Sequence, residues 1–179
     1  MAKVSILQSQ LLDITISRLS QQLIENHGDF SNTVIIGLQQ GGIILSERIK
    51  KRIFELAKVE VPLGQLDITF HRDDFRRGQS ILTPSKTDIP FLVEDMNVIL
   101  IDDVVFTGRS IRSALDAMMA FGRPRKVELL CLVDRKYSRD LPIEPTYVGK
   151  VVNSIQSQYI QAEWKEEGHQ EDNLWLINQ

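Results

Sequence analysis

The sequence predicts an α/β domain whose mainly parallel central sheet is flanked by helices, and three observations predict it. Short β-branched runs such as TVIIGL and NVILIDDV are apolar without interruption, as strands buried on both faces are. Segments of helical periodicity stand between those runs. A glycine turn, GLQQGG, joins the first run to the helix after it, which makes the first half of a βαβ unit.

Taken in order, the opening segment carries Ile6, Leu7, Leu11, Ile14 and then Leu12, Ile16, Leu19, Leu23 at three- and four-residue steps. It therefore reads as one amphipathic helix ending near NHGD. Thr33 to Leu38 is the first buried strand, and Ile43 to Ala57 the second helix, with Ile44, Leu45, Ile49, Ile53 and Leu56 facing a core. GQLDITF, from Gly64 to Phe70, alternates like a half-exposed strand and runs into about twenty residues rich in charge, Gly, Pro and Ser. NVILIDDV is the next strand, RSIRSALDAMMAFG a helix stopped by Gly122, and KVELLCLVD another strand. PTYVGKVV is the last of the buried type, and the tail holds two short alternating segments, QYIQAEW and DNLWLIN.

Composition bounds the function classes. A chain of 179 residues suits one domain spanning 1–179, because two complete cores would be crowded in it. No apolar run approaches the roughly 20 residues of a spanning helix. The N-terminal stretch interleaves apolar residues with Gln, Asp, Ser and Arg instead of forming a signal core, so the expected location is the cytoplasm, with no membrane partner. The net charge of -3 gives no argument for a nucleic-acid partner. Cys131, the single cysteine, sits inside VELLCLVD and reads as a buried strand residue. His27, His71 and His169 stand apart in polar surroundings at no metal-site spacing and read as surface or loop residues.

The stretch VILIDDVVFTGRS carries the chemistry. Ligands of parallel α/β sheets gather beyond the carboxyl ends of the strands, where Asp102 and Asp103 are expected. The turn FTGRS then enters a helix, so its backbone N–H groups and the helix dipole form an anion cup, with Thr107 and Ser110 adding hydroxyls and Gly108 allowing close approach. Carboxylates beside a phosphate cup suit a sugar phosphate. On the pattern alone a plainer account has the aspartates solvating a strand end and Ser110 capping a helix. A P-loop is excluded because Gly-Lys-Ser/Thr is absent, and a dinucleotide fold because G-x-G-x-x-G is missing. In phospho-receiver domains the acidic pair belongs to the first strand, whereas here it follows two helices.

VILIDDVVFTGRS closely resembles the phosphoribosyl pyrophosphate signature of the type I phosphoribosyltransferases. GQLDITFHRDD, DIPFLVEDMNVILIDDVVFTGRSIRSALDAMMAFGRPRKVELLCLVDRK and LPIEPTYVGK are similar to successive blocks of the pyrimidine operon attenuator and uracil phosphoribosyltransferase family, PyrR. The resemblance implies a type I phosphoribosyltransferase-like fold with a small hood, made by the tail from about 153 to 179. It implies transfer of the phosphoribosyl group to uracil, giving UMP and pyrophosphate, with Mg²⁺ bound through substrate oxygens and without a protein cage of ligands.

By the same resemblance, Asp102 and Asp103 contact the ribose hydroxyls with Val104 beside them, and Thr107, Gly108, Arg109 and Ser110 hold the 5′-phosphate. Gln40, Gly41 and Gly42 offer backbone N–H groups to pyrophosphate. A lid loop at about 71–90 supplies Arg72, helped by Arg76 and Arg77, and the main chain of Val133, Asp134 and Arg135 lies against the base. Two departures stand out. The family's Lys-Thr-Arg-Gly turn is here Gln39-Gln40-Gly41-Gly42, which loses a charge-assisted contact of roughly 1.5 to 3 kcal/mol, or about one to two factors of ten in rate. A leader messenger RNA partner would use Arg18, Arg139 and Lys150, but Glu144 and Gln21 replace basic residues on that face. The alternative reading is therefore a nucleotide-sensing attenuator that shares the pocket but catalyses weakly or not at all. A homodimer or higher homo-oligomer is the expected assembly.

Overall fold

A computed structural model describes residues 3–39, 41–69, 86–137, 139–155 and 157–178. Its elements run β1 (Lys3–Gln8), α1 (Ser9–His27), β2 (Thr33–Leu38), α2 (Gly41–Ala57), β3 (Leu63–Leu66), β4 (Asn97–Val105), α3 (Arg109–Met118), β5 (Lys126–Lys136), β6 (Tyr147–Asn153), β7 (Gln158–Glu163) and β8 (Asn173–Asn178). Five strands form a parallel sheet in the order β3-β2-β4-β5-β6. From β2 the chain steps outward to β3 and then returns to the other side for β4. The crevice between the carboxyl ends of β2 and β4 is therefore the topological switch point where ligands of such sheets bind.

The unbroken apolar runs are explained by cover on both faces. Ile35, Ile99, Ile101, Leu130 and Leu132 pack into one core with α1, α2 and the second sheet. Val34, Ile36, Leu38, Val98, Leu100 and Cys131 pack into the other with α3. Each strand contributes alternate residues to the two cores, so no position of β2 is left polar and outward. Cys131 is fully buried, as the sequence predicts, and burial pushes its thiol well above the ordinary value.

The second sheet is antiparallel, in the order β1-β8-β7, and it differs from the expectation. Lys3 to Gln8 is not the start of α1 but a strand, registered Val4 to Leu176 and Leu7 to Leu174. Ile6 and Leu7 fit a helical stripe by spacing alone; the free edge of β8, supplied from the far end of the chain, decides the conformation. The hood thus draws on the N-terminal segment as well as the tail. Arg48 of α2 fastens it to the main body, with Nη1 2.8 Å from Asp172 Oδ2 and the guanidinium 4.7 Å from the centre of the Trp164 ring. The strand read from GQLDITF is short, ending at Leu66, and α3 ends at Met118, with a 3-10 turn over Met119–Phe121 before Gly122 at φ 121°. Among the described residues no helix is long and apolar enough to cross a membrane.

His27 is a correction. Its side chain is 7% exposed, with Nε2 2.8 Å from Glu128 Oε2. Nδ1 lies 3.2 Å from Thr33 Oγ1, and the ring stacks on Phe30. The reason is Glu128, a carboxylate buried near the start of β5 that needs polar partners; Lys126 supplies an ammonium at 2.7 Å. His169 is exposed, as expected, and His71 lies outside the described residues.

Burial pushes the Glu128 carboxyl up, but the hydrogen bond from Lys126 and the charges of His27 and Lys126 outweigh it, and the group ends below its ordinary value of 4.5. A carboxyl depressed in the folded state contributes stability that is present above about pH 4.5 and is lost as pH falls through the folded value. Glu128→Gln should therefore cost about 2 to 3 kcal/mol in urea unfolding at pH 7 and make the remaining stability less sensitive to acid below pH 4.5. A second prediction concerns α2. A Cβ on Gly42 would stand 2.3 Å from the Ile101 carbonyl oxygen and 3.0 Å from Asp102 Cα, so helix and strand would have to part. Gly42→Ala should destabilise by about 1 to 3 kcal/mol, read as a lower urea midpoint.

Candidate active site

The acidic pair sits within β4, not at its end: the strand continues through Val105, which pairs with Asp134 of β5. Asp102 is buried at 8% exposure beside Cys131, and Asp103 is half-buried. Asp103 faces the first turn of α2, where a Cβ on Gly41 would fall 2.1 Å from Asp103 Oδ2. Only glycine leaves this carboxylate its place at the positive end of a helix. Two internal bonds orient the pair: Asp103 N donates to Asp102 Oδ1 at 3.0 Å, and Val104 N to Asp103 Oδ1 at 2.8 Å.

Burial, joined by the charge of Asp103, holds the Asp102 carboxyl well above its ordinary value. Burial raises Asp103 as well, opposed by hydrogen bonds from Asp102 and the Val104 amide. Two carboxyls in one buried site favour keeping a proton until hydroxyl donors or a cation arrive. Among the described residues no group of three His, Cys, Asp or Glu side chains could hold a metal by itself. The donor set thus fits Mg²⁺ only in the manner of a site that takes most of its ligands from substrate phosphates and water.

Beyond β4 the chain turns through Phe106, Thr107 and Gly108 into α3. Gly108, at φ 88°, is the N-cap and has no side chain to cap with; the Thr107 hydroxyl accepts from Arg109 N at 3.4 Å, and Ser110 lies inside the first turn. This leaves first-turn N–H groups available to an anion, with the Thr107 and Ser110 side chains half-buried beside them. Arg109 is exposed and pairs with Asp140 at 3.1 Å.

A segment that sequence reasoning missed braces this turn. The Thr107 carbonyl accepts from Asp140 N at 3.0 Å and Leu141 N at 3.2 Å. A Cβ on Gly108 would meet Ile143 Cγ1 at 3.0 Å. Arg139 donates to the carbonyls of Phe106 and Ile143 and to the carboxylate of Asp134. The sequence marks the segment only by its polar, Pro-bearing composition, which names a loop and not its contacts.

Within β5, Val133 is fully buried between its partners Val104 of β4 and Lys150 of β6. Asp134 is held by Arg139, and Arg135 is buried at 4% exposure. A hollow of about 400 Å³ opens between Asp134, Arg135, Tyr137, Arg139 and Ile143. Gln39 donates through its side chain to the Lys86 carbonyl at 3.1 Å, tying the glycine turn to the far root of the expected lid. Gln40, Arg72, Arg76 and Arg77 lie outside the described residues. The three cations expected on an RNA face have engaged head groups: Arg18 donates to the Gly149 carbonyl at 2.6 Å, Lys150 to that of Ile6 at 2.8 Å, and Arg139 as above.

Comparison with known proteins bears on this geometry. The phosphoribosyl transferase domain family matches residues 4–167. The bifunctional protein PyrR of Picosynechococcus sp. is 42% identical over 159 residues, covering 89% of both chains. That of Actinobacillus pleuropneumoniae serotype 5b is 43% identical over 157 residues, 88% of this chain and 87% of its own. The hypoxanthine phosphoribosyltransferase of Trypanosoma cruzi superposes with a TM-score of 0.71 over 97% of this chain and 95% of its own, at 12% identity. That of Staphylococcus aureus gives 0.67 over 88% and 80%, at 20% identity. These structures share the fold. With an identity above 40% across nearly its whole length, the chain belongs to the phosphoribosyl transferase domain family and, within it, to the PyrR proteins.

Proposed function

We propose that the protein transfers the phosphoribosyl group of phosphoribosyl pyrophosphate to uracil, forming UMP and pyrophosphate. The observation that carries this reading is the placing of Asp103 against the bare first turn of α2 at Gly41, on the strand that runs through the Gly108 N-cap into the start of α3. Those three features offer one acceptor for hydroxyls and two sets of amide donors for anions. A ribose bearing phosphate at one end and pyrophosphate at the other has the matching groups.

In this reading the 5′-phosphate rests on the first turn of α3 with the Thr107 and Ser110 hydroxyls, and the ribose hydroxyls donate to Asp102 and Asp103. The N–H groups at the head of α2 face the pyrophosphate. The bond from C1 to pyrophosphate oxygen breaks as the bond to uracil nitrogen forms, through an oxocarbenium-like ribose, and the proton of that nitrogen leaves with pyrophosphate. Mg²⁺, when bound, supplies positive charge to the leaving pyrophosphate. The chain's own part is to hold the ribose between two fixed anion sites, so catalysis rests mainly on positioning and on charge stabilisation.

A second activity is suggested by the word "bifunctional" in the relatives' name. For this chain the RNA-binding reading draws less support, because Arg18, Arg139 and Lys150 already serve carbonyls and a carboxylate of the protein itself. Phosphoribosyl transfer in the cytoplasm, by a homodimer or larger homo-oligomer, is the reading preferred.

UMP formation from uracil and phosphoribosyl pyrophosphate, measured with Mg²⁺ and with chelator, should show turnover only with the metal; UMP binding without any turnover would leave a nucleotide sensor. Asp103→Asn should lower kcat/KM about a hundredfold. Because burial raises this carboxyl in the fold, the same change should leave the urea midpoint unchanged or higher. A variant that unfolds, or that keeps full turnover, overturns the assignment of Asp103 to the ribose.

A further inference from the structure

Arg135 stands at the end of β5 with its guanidinium inside the protein. The residue is 4% exposed, and among the described residues no carboxylate pairs with it. Its partners are neutral. Nε donates to Ser154 Oγ at 2.7 Å, Nη2 donates to the Ile155 carbonyl at 3.0 Å, and Cζ lies 3.7 Å from the centre of the Phe106 ring. Burial draws its pKa down, yet a guanidinium keeps its proton in proteins, so a charge is held in low dielectric without an anion of the chain to offset it. A neutral side chain of similar size would fill the space at lower cost.

What Arg135 joins explains its use. Phe106 is the first residue of the phosphate turn, directly before Thr107, and its carbonyl is already fixed by Arg139. Ser154 and Ile155 follow β6 and lead into β7, so they are the root of the hood. The planar guanidinium meets the turn with its face and the root of the hood with its edge, a division of labour that an ammonium cannot perform.

We propose that Arg135 is a positioning residue which, through its stack on Phe106, fixes the phosphate turn relative to the hood and so sets where the nucleotide is held between them. The proposal rests on the phosphoribosyl transfer reading for the identity of the ligand. It assigns the side chain a task separate from that of its main chain.

The test is UMP binding by calorimetry, which does not require turnover, in Arg135→Met, Phe106→Leu, the double variant and Phe106→Tyr. Both single variants should weaken UMP about tenfold, and the double variant should be no weaker than the worse single one, because each breaks the same stack. Phe106→Tyr keeps an aromatic face and should bind within about twofold of the parent. Should Arg135→Met fail to fold, Phe106→Leu against Phe106→Tyr reads the same stack with the guanidinium in place. Single variants that bind UMP like the parent, losses that multiply to about a hundredfold in the double, or Phe106→Tyr as weak as Phe106→Leu would each overturn it. A parent protein that binds UMP without turnover refutes catalysis and leaves this test intact, whereas a parent that binds neither UMP nor phosphoribosyl pyrophosphate refutes the transfer reading itself.

Discussion

The approach of α2 to β4 is the constraint on which the rest depends. Gly42 brings the first turn of the helix so near the Ile101 carbonyl that no Cβ fits between them, and Gly41 leaves space for the Asp103 carboxylate that a Cβ would take. With a larger residue at either place, helix and strand would separate. The crevice between β2 and β4 would then widen, and the acidic pair would lose its seat at the helix's positive end. The two apolar cores hold this geometry from either face of the sheet, and the second sheet, pinned to α2 by Arg48, covers it.

The electrostatic design follows the same division. Acids gather on the strand, while the donors opposite them are mostly backbone N–H groups of two helix starts. Dipoles of this kind need no counter-ion and no side-chain reorganisation, so they suit the binding of anions. The charged side chains nearby are largely occupied with holding the frame: Arg139 on the turn, Arg109 on Asp140, and Arg135 between turn and hood.

Much of this was legible in the residues. VILIDDVVFTGRS announces its strand and the glycine turn into a helix by local chemistry alone, and TVIIGL gives its strand to the residue because a run buried on both faces has no polar alternation to blur its ends. What failed to read depends on distant partners. Ile6 and Leu7 satisfy helical spacing, and only the free edge of β8 makes them a strand. His27 looks like a helix-end surface residue until β5 delivers Glu128 to its ring. Arg139 looks like a free cation in a polar loop, yet the distant Phe106 carbonyl joins the nearby Asp134 and Ile143 as its acceptors. Side chains whose roles are local were readable, and those recruited by tertiary contact were not.

The hood is sewn from segments nearly a whole chain apart, with Lys3 beside Ile177. During synthesis β1 is made before any other strand and has nothing to pair with until β8 leaves the ribosome. The parallel sheet, with its acidic strand and phosphate turn, consists of segments already made by then. The nascent chain can thus assemble the acidic strand and the glycine turn before β1 finds its partner, and the pairing of β1 with β8 is a late, long-range step of folding.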